Sequence, residues 1–173
     1  MNQNLFLAPA STTGSAYSHL EQSVVNGIRL NSNISNSDRD GDLIRIWGIN
    51  SGLESTWNNI EVNDWILFYT GDNEYRLAAQ IIRREENPQL GSEIRNRHLD
   101  VSKREKKEGK DWHFLLYLGD PIKIELCAET LSEWLNYERA YRSRFHRVPE
   151  RRLQKIEGKF DTLEDMVMAF TVN

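Results

Sequence analysis

"IRIWGINSGLESTWNNIEVNDWILFY", residues 44–69, is the stretch whose reading decides the fold. Both its ends are rich in β-branched and aromatic residues, the composition of strands, and its middle is a polar run of Ser, Asn, Thr, Glu and Gly. Trp57 stands in that polar run. An indole is large and apolar, so its place among polar neighbours demands an explanation.

Working outward, residues 43–50 and 65–70 read as strands, "GDNE" (71–74) as a turn, and "YRLAAQIIRR" (75–84) as the returning strand of a hairpin. The small pair Ala78–Ala79 in that strand implies close packing above it. Residues 114–119 and 122–126 complete a set of about five strands, preceded by an extended segment at 6–9. Ser15 can cap a helix running to about Asn26, ended by Gly27, and residues 29–42 form a polar loop. Residues 86–112 read as a long charged connection, a length at which structureless loops tend to be functional. "TLSE" (130–133) is a capping box opening a helix through Tyr141. Pro149 suits the first turn of a helix over 149–158, and Asp161 the N-cap of another over 161–170. A strand-rich middle flanked by helices predicts a single α+β domain over residues 1–173, with a small curled, barrel-like sheet.

Composition narrows the function. The 173 residues suit one hydrophobic core, and 39% hydrophobic with 28% charged residues is ordinary for a globular chain. No apolar run approaches the roughly 20 residues needed to cross a bilayer, and the N-terminus lacks the pattern of a signal peptide, so the expected compartment is the cytoplasm. Cys127 is the only cysteine, which excludes an intrachain disulfide. The net charge of −4 conceals an uneven distribution: residues 139–159 hold eight Lys/Arg against two Asp/Glu. Within that segment "RAYRSRFHRVPERR" interleaves aromatics with arginines, a pattern suited to an anionic partner.

Signatures of catalysis are missing. His19, His98, His113 and His146 have no metal-ligand spacing, and neither a GxSxG elbow nor a GxxxxGK[ST] loop occurs. Binding without catalysis, cofactor or metal is the expectation. The candidate site lies at the end of the strand over 43–50, where Gly48 lets something approach the backbone. Asn50 and Ser51 offer amide and hydroxyl groups there, and Trp57, Trp47 and Tyr69 supply aromatic walls. Such a cage suits a flat uncharged ring, an extruded nucleobase above all. Plain core packing is the competing use of each tryptophan. It is preferred for Trp65, left open for Trp47 and set aside for Trp57 because of the latter's polar neighbours.

"RIWGIN", a loop tryptophan and then "VNDWILFYTGDNEYRLAAQI" resemble the EVE and YTH-like branch of the PUA-like superfamily, as do "LGSEI", "DWHFLLYLGDP" and "LNYERAYRSRFHRV". The resemblance covers about residues 43–148 and implies a curled β-barrel of about five to six strands flanked by helices. It also implies a nucleic-acid-binding module that flips a modified, most plausibly methylated, base of DNA into an aromatic cage. Such modules stand at the N-terminus of McrB-type modification-dependent restriction proteins, so this chain is expected to be the front part of a longer protein, with a fused or associated nuclease or NTPase. Carried over by position, Trp57 would be a cage wall, Asn50 and Ser51 would read the edge of the base, Tyr69 would be a floor or second wall, and Phe145 and Arg147 would close the pocket or grip phosphate; Trp47 joins this candidate base-binding set from its place on the strand. Arg139, Arg142, Arg144, Arg147, Arg151 and Arg152 would contact the nucleic-acid backbone. The chain departs from the family pattern at Arg95, where relatives place a tryptophan, and at "YRSRF", where they have a Gly-rich "YPxGF". RNA binding through the same fold, and a small-molecule-binding or hydrolytic enzyme, are the alternatives.

Overall fold

A computed structural model describes residues 3–30, 42–101, 111–140 and 144–173. Among these, nine strands are β1 (Leu5–Pro9), β2 (Ile28–Arg29), β3 (Leu43–Ile44), β4 (Ile46–Ile49), β5 (Trp65–Gly71), β6 (Glu74–Glu86), β7 (Phe114–Leu118), β8 (Ile122–Cys127) and β9 (His146–Arg147). Six α-helices are α1 (Ser15–Leu20), α2 (Glu54–Trp57), α3 (Pro88–His98), α4 (Ala128–Leu135), α5 (Glu150–Glu157) and α6 (Leu163–Ala169). Seven strands form one sheet in the order β4-β7-β6-β5-β1-β9, with β8 also paired to β6; β2 and β3 form a separate ribbon. The sheet curls into a half-barrel.

The 13-residue β6 organises this curl. Its first half pairs with β5 on one side and β8 on the other, whereas its second half pairs with β7. Strands β7 and β8 therefore run end to end along one side of β6, broken at residues 119–121. The β5–β6 hairpin closes through Asp72 and Asn73, both at positive φ, as a tight two-residue turn between right-twisted strands requires.

Strand alternation sends side chains to two faces. Trp65, Leu67 and Tyr75 pack on one side beneath α4, α5 and α6, with Leu131, Leu153, Ile156 and Met166 among their partners. Ile66, Phe68, Ile81, Phe114 and Leu116 fill the concave side, with Phe6, Trp47 and Trp57. A third cluster sits where α3 covers β4 and β7 and includes Ile46, Ile94, Leu115 and Trp112.

Several sequence expectations need correction. The strand expected over 43–50 is interrupted at Arg45, whose guanidinium turns away to bond Asp120 and the carbonyls of Val24 and Val25 at the end of the first helical segment. The connection over 86–112 contains helix α3. Asn87 caps it, its Oδ1 accepting from Leu90 N–H at 3.0 Å, and Pro88 occupies the first turn. Helix α4 stops at Leu135, where Asn136 turns left-handed at φ 55°, so it does not reach Tyr141. Thr162, not Asp161, caps α6.

Candidate functional site

Strand β4 ends at Ile49, and its last residues open onto a cavity of about 630 Å³. Trp47, Trp112, Phe145, Asn50, Arg95 and Arg144 line it, with α1 contributing Ser15 and His19. The three aromatic walls are anchored from behind. Trp47 sets its edge against Phe68 (ring centroids 5.2 Å apart, planes at 76°), and Phe145 stacks on Phe6 (5.4 Å, 8°). Trp112 lies 6.4 Å from Trp47, tilted by 46°, and meets His19 edge-on at 6.2 Å.

Two glycines hold the Trp112 wall in place. A Cβ on Gly48 would come within 1.8 Å of the Trp112 ring, and one on Gly91 within 2.0 Å of its backbone carbonyl oxygen. Gly48 does not have positive φ, so space and not backbone conformation is what requires glycine there. The approach inferred at Gly48 is thus made by the chain's own indole.

The polar lining is short. Asn50 caps the turn Ser51–Leu53, its Oδ1 accepting from Gly52 N–H at 3.0 Å, which fixes the amide at the mouth of the cavity. Arg95, on α3, is only 5% exposed although it is a full positive charge, and it approaches Asp111 at 3.7 Å. Arg144 is exposed at the rim.

No protein-family model and no curated protein sequence matches the chain. Among solved structures, the N-terminal domain of Thermococcus gammatolerans McrB bound to m5C DNA superposes with a TM-score of 0.71 over 95% of this chain and 99% of that one, at 18% identity. The fold is that of the McrB N-terminal domain. ASCH from Zymomonas mobilis, as a point variant and unaltered, aligns at TM-scores of 0.51 and 0.50 with 8% and 9% identity, covering 91% and 89% of this chain and 97% and 94% of those. The likeness to the N-terminal module of McrB-type proteins, first drawn from sequence motifs, therefore holds for the fold.

Within this McrB N-terminal fold the sequence-derived residues separate. Trp47, Asn50 and Phe145 line the cavity together. Trp57 does not. It is 6% exposed, stacked on Phe114 (4.7 Å, 15°) on one face and covered by the Arg84 guanidinium at 4.6 Å on the other. Arg84 also donates to the carbonyls of Trp57 and Ile60, so the indole is sealed into the core at the end of α2. Tyr69 packs on the opposite face of the sheet, edge-on to Tyr75 at 5.6 Å. Ser51 is exposed in the turn after β4, outside the lining.

The arginines divide likewise. Arg139, Arg144 and Arg151 are exposed. Arg147 donates to Asn4 Oδ1 at 2.8 Å and Asn59 Oδ1 at 3.4 Å, and so ties β9 to the N-terminus. Arg152 lies over the Tyr137 ring at 4.4 Å and donates to the carbonyls of Leu135 (2.7 Å) and Asn136, which closes the end of α4. It serves the fold and is not displayed for phosphate. Arg142 lies outside the described residues.

Trp112 was not singled out from the sequence. The signal available for it was indirect: Gly48 and Gly91, two residues lacking a side chain at positions that border one indole. Among the described residues no helix is long and apolar enough to cross a membrane.

Proposed function

We propose that this chain is a DNA-binding recognition module that takes one methylated base, flipped from the duplex, into the cavity between Trp47, Trp112 and Phe145. The observation that carries this is the cavity itself: about 630 Å³ at a strand end, within the roughly 300–1,000 Å³ typical of ligand sites. It is walled by three rings, with Ser15, His19, Asn50 and Arg95 as polar lining and Arg144 at its rim. Stacking on an aromatic ring contributes roughly 1–3 kcal/mol per base, which offsets the few kcal/mol that extrusion costs. The shared fold with a McrB domain bound to m5C DNA supports nucleic acid as the partner.

Arg144 at the rim, with Arg139 and Arg151, supplies phosphate contacts, so affinity falls steeply with salt. The whole chain acts as one binding domain in the cytoplasm. It works without cofactor or catalysis of its own and directs a fused or associated nuclease or NTPase of a restriction system to modified DNA.

The test is a set of titrations at one salt concentration, using duplexes that differ by a single methyl group together with single-stranded RNA. A methylated duplex should bind more tightly than its unmethylated counterpart, and Trp112→Ala should abolish that difference while leaving salt-dependent background binding. Equal affinity for all duplexes would overturn the proposal; a preference for RNA would transfer the site to that partner.

A further inference from the structure

We propose that the helical face of the domain, centred on Trp134, Phe160 and Phe170, docks a basic segment of a partner protein that sets arginine or lysine beside an apolar side chain. The three rings pack against the cluster under α4, α5 and α6, whereas the cavity walls Trp47 and Phe145 belong to the concave side of the sheet. This docking is therefore separate from the base-reading function and goes beyond it.

Three aromatic rings meet on this face without being buried. Trp134, from α4, lies 5.8 Å from both Phe160 and Phe170, and the two phenylalanines are 6.2 Å apart, so the rings form a closed triangle. They sit outside the buried Leu131, Leu153, Ile156 and Met166 and are themselves only half-buried. Met168, in the last turn of α6, adds a side chain that is 54% exposed. Clustered apolar surface of this kind marks interaction sites, and tryptophan is the residue on which protein interfaces most often turn.

Charge identifies the occupant. Residues 122–138 and 157–173, which carry β8, α4 and α6, hold two lysines against eight Asp and Glu, and all eight acids are exposed. Each ring has an acidic residue beside it along the backbone. Glu133 precedes Trp134, Asp161 follows Phe160, and the N–H of Glu125 donates to the Phe170 carbonyl at 2.9 Å. Such a field repels the phosphates of nucleic acid or of a lipid surface and attracts a cationic chain.

One of the two lysines shows the contact such a chain would make. The Lys159 ammonium lies 5.3 Å over the Trp134 ring, so the open face of the indole already takes a cation. A guanidinium, flat and weakly hydrated, stacks there better than an ammonium does. The partner's arginine thus displaces Lys159, and its apolar neighbour falls on Phe160 and Phe170.

The experiment follows the indole N–H signal of Trp134 in the isotope-labelled whole chain, assigned by its loss in Trp134→Phe. The probe is a blocked peptide alternating arginine and leucine, which should move the signal saturably. A glutamate–leucine peptide should leave the signal in place, and an arginine–serine peptide should bind more weakly. Glu133→Gln combined with Asp161→Asn should weaken binding of the arginine–leucine peptide about 2- to 30-fold, the range for two exposed charge pairs. Lys159→Ala should strengthen it about 2- to 5-fold, the value of an exposed cation–π contact no longer competed for. Lys155→Ala removes an equal charge from an exposed position of α5 and should change it less. All four substituted positions are exposed, so the fold tolerates these variants.

A Trp134 signal indifferent to the arginine–leucine peptide would overturn the proposal. So would equal binding of the glutamate–leucine peptide, or equal effects of the two lysine substitutions. Movement of the signal with duplex DNA would hand the face to nucleic acid, and movement with protein concentration alone would hand it to a second copy; either result overturns a basic protein partner. No arm of the experiment uses methylated DNA, so its failure leaves the proposed base-reading function untouched.

Discussion

Replacing Gly48 by alanine tests the geometry of the site directly, because the added methyl group points into the Trp112 indole. The new Cβ would sit 1.8, 1.9 and 2.4 Å from three ring atoms, so the ring must retreat by about 1 Å or more. Its way out is the cavity it borders. Overpacking of this kind costs about 1–3 kcal/mol, and alanine recovers about 0.5–1 kcal/mol over glycine in a strand whose φ it can adopt. The net loss of about 1–2 kcal/mol corresponds to a fall in Tm of roughly 2–8 °C for a chain of this length. Binding should suffer more than stability if the cavity takes the proposed base, since the displaced indole fills it, and the preference for a methylated duplex should disappear while salt-dependent background binding remains. Gly91→Ala should behave differently. Its methyl group meets the Trp112 carbonyl at 2.0 Å, an atom of the backbone with no cavity to move into, so stability should fall further. The decisive measurement is a double-mutant cycle. In a Trp112→Ala background Gly48→Ala should instead gain about 0.5–1 kcal/mol, a coupling of about 1–3 kcal/mol between residues in contact. Equal Tm losses in both backgrounds would refute the placement of Trp112 over Gly48.

Trp57→Ala should lower stability by about 3–5 kcal/mol, as buried tryptophans do, yet leave the ratio of methylated to unmethylated binding unchanged below Tm; thermal melts and titrations check both. Arg144→Glu should weaken binding to all duplexes alike and reduce the slope of log affinity against log salt by about 1. Arg152→Met should leave that slope intact and instead lower Tm, because it removes hydrogen bonds to carbonyls at the end of α4, each worth about 1.5–3 kcal/mol when the donor is charged. Tyr117 is pushed up to about 12 by burial and by donating to Glu85 at 2.8 Å. Between pH 10 and 12 the folded chain keeps a proton that the unfolded chain releases, so stability should fall through that window, and denaturant melts of Tyr117→Phe should show a shallower fall.

The hairpin was legible because every level agreed on it. Residues 65–70 are an unbroken run of β-branched, aromatic and apolar residues, a second run follows over 75–84, and the turn between them carries Asp and Asn where positive φ is needed. The role of Trp57 was misread for a physical reason. The polar letters around it, Ser55, Asn58 and Asn59, face solvent from a short helical turn, while Leu53 and Trp57, four apart, face inward. Polarity of neighbours in sequence is a property of the other faces of a helix, so it did not mean exposure. Arginine density was visible in residues 139–159, but a count of charges cannot distinguish Arg144, which reaches the rim, from Arg152, which is spent on carbonyls. Trp112 could not be read at all from its own neighbourhood. Its position depends on Gly48 and Gly91, which approach it only once β4 and α3 flank it.

The wall residues also explain how the site comes to be preorganised. Trp47 and Trp112 are each 7% exposed and Phe145 6%, values of core residues, yet all three border the cavity. Each turns one side to the interior, Trp47 to Phe68, Phe145 to Phe6 and Trp112 to the two glycines, and the other side to empty space. The cavity is thus the place where the concave core continues without a side chain to fill it. Walls shared with the core are fixed before any ligand arrives, so little rotamer entropy remains to be lost on binding. The same sharing means that substituting a wall residue alters the core as well as the site. Affinity alone would then confuse the two effects, since a loosened fold binds every duplex less well. The ratio between methylated and unmethylated duplexes cancels that common loss and leaves the contribution of the wall to the base.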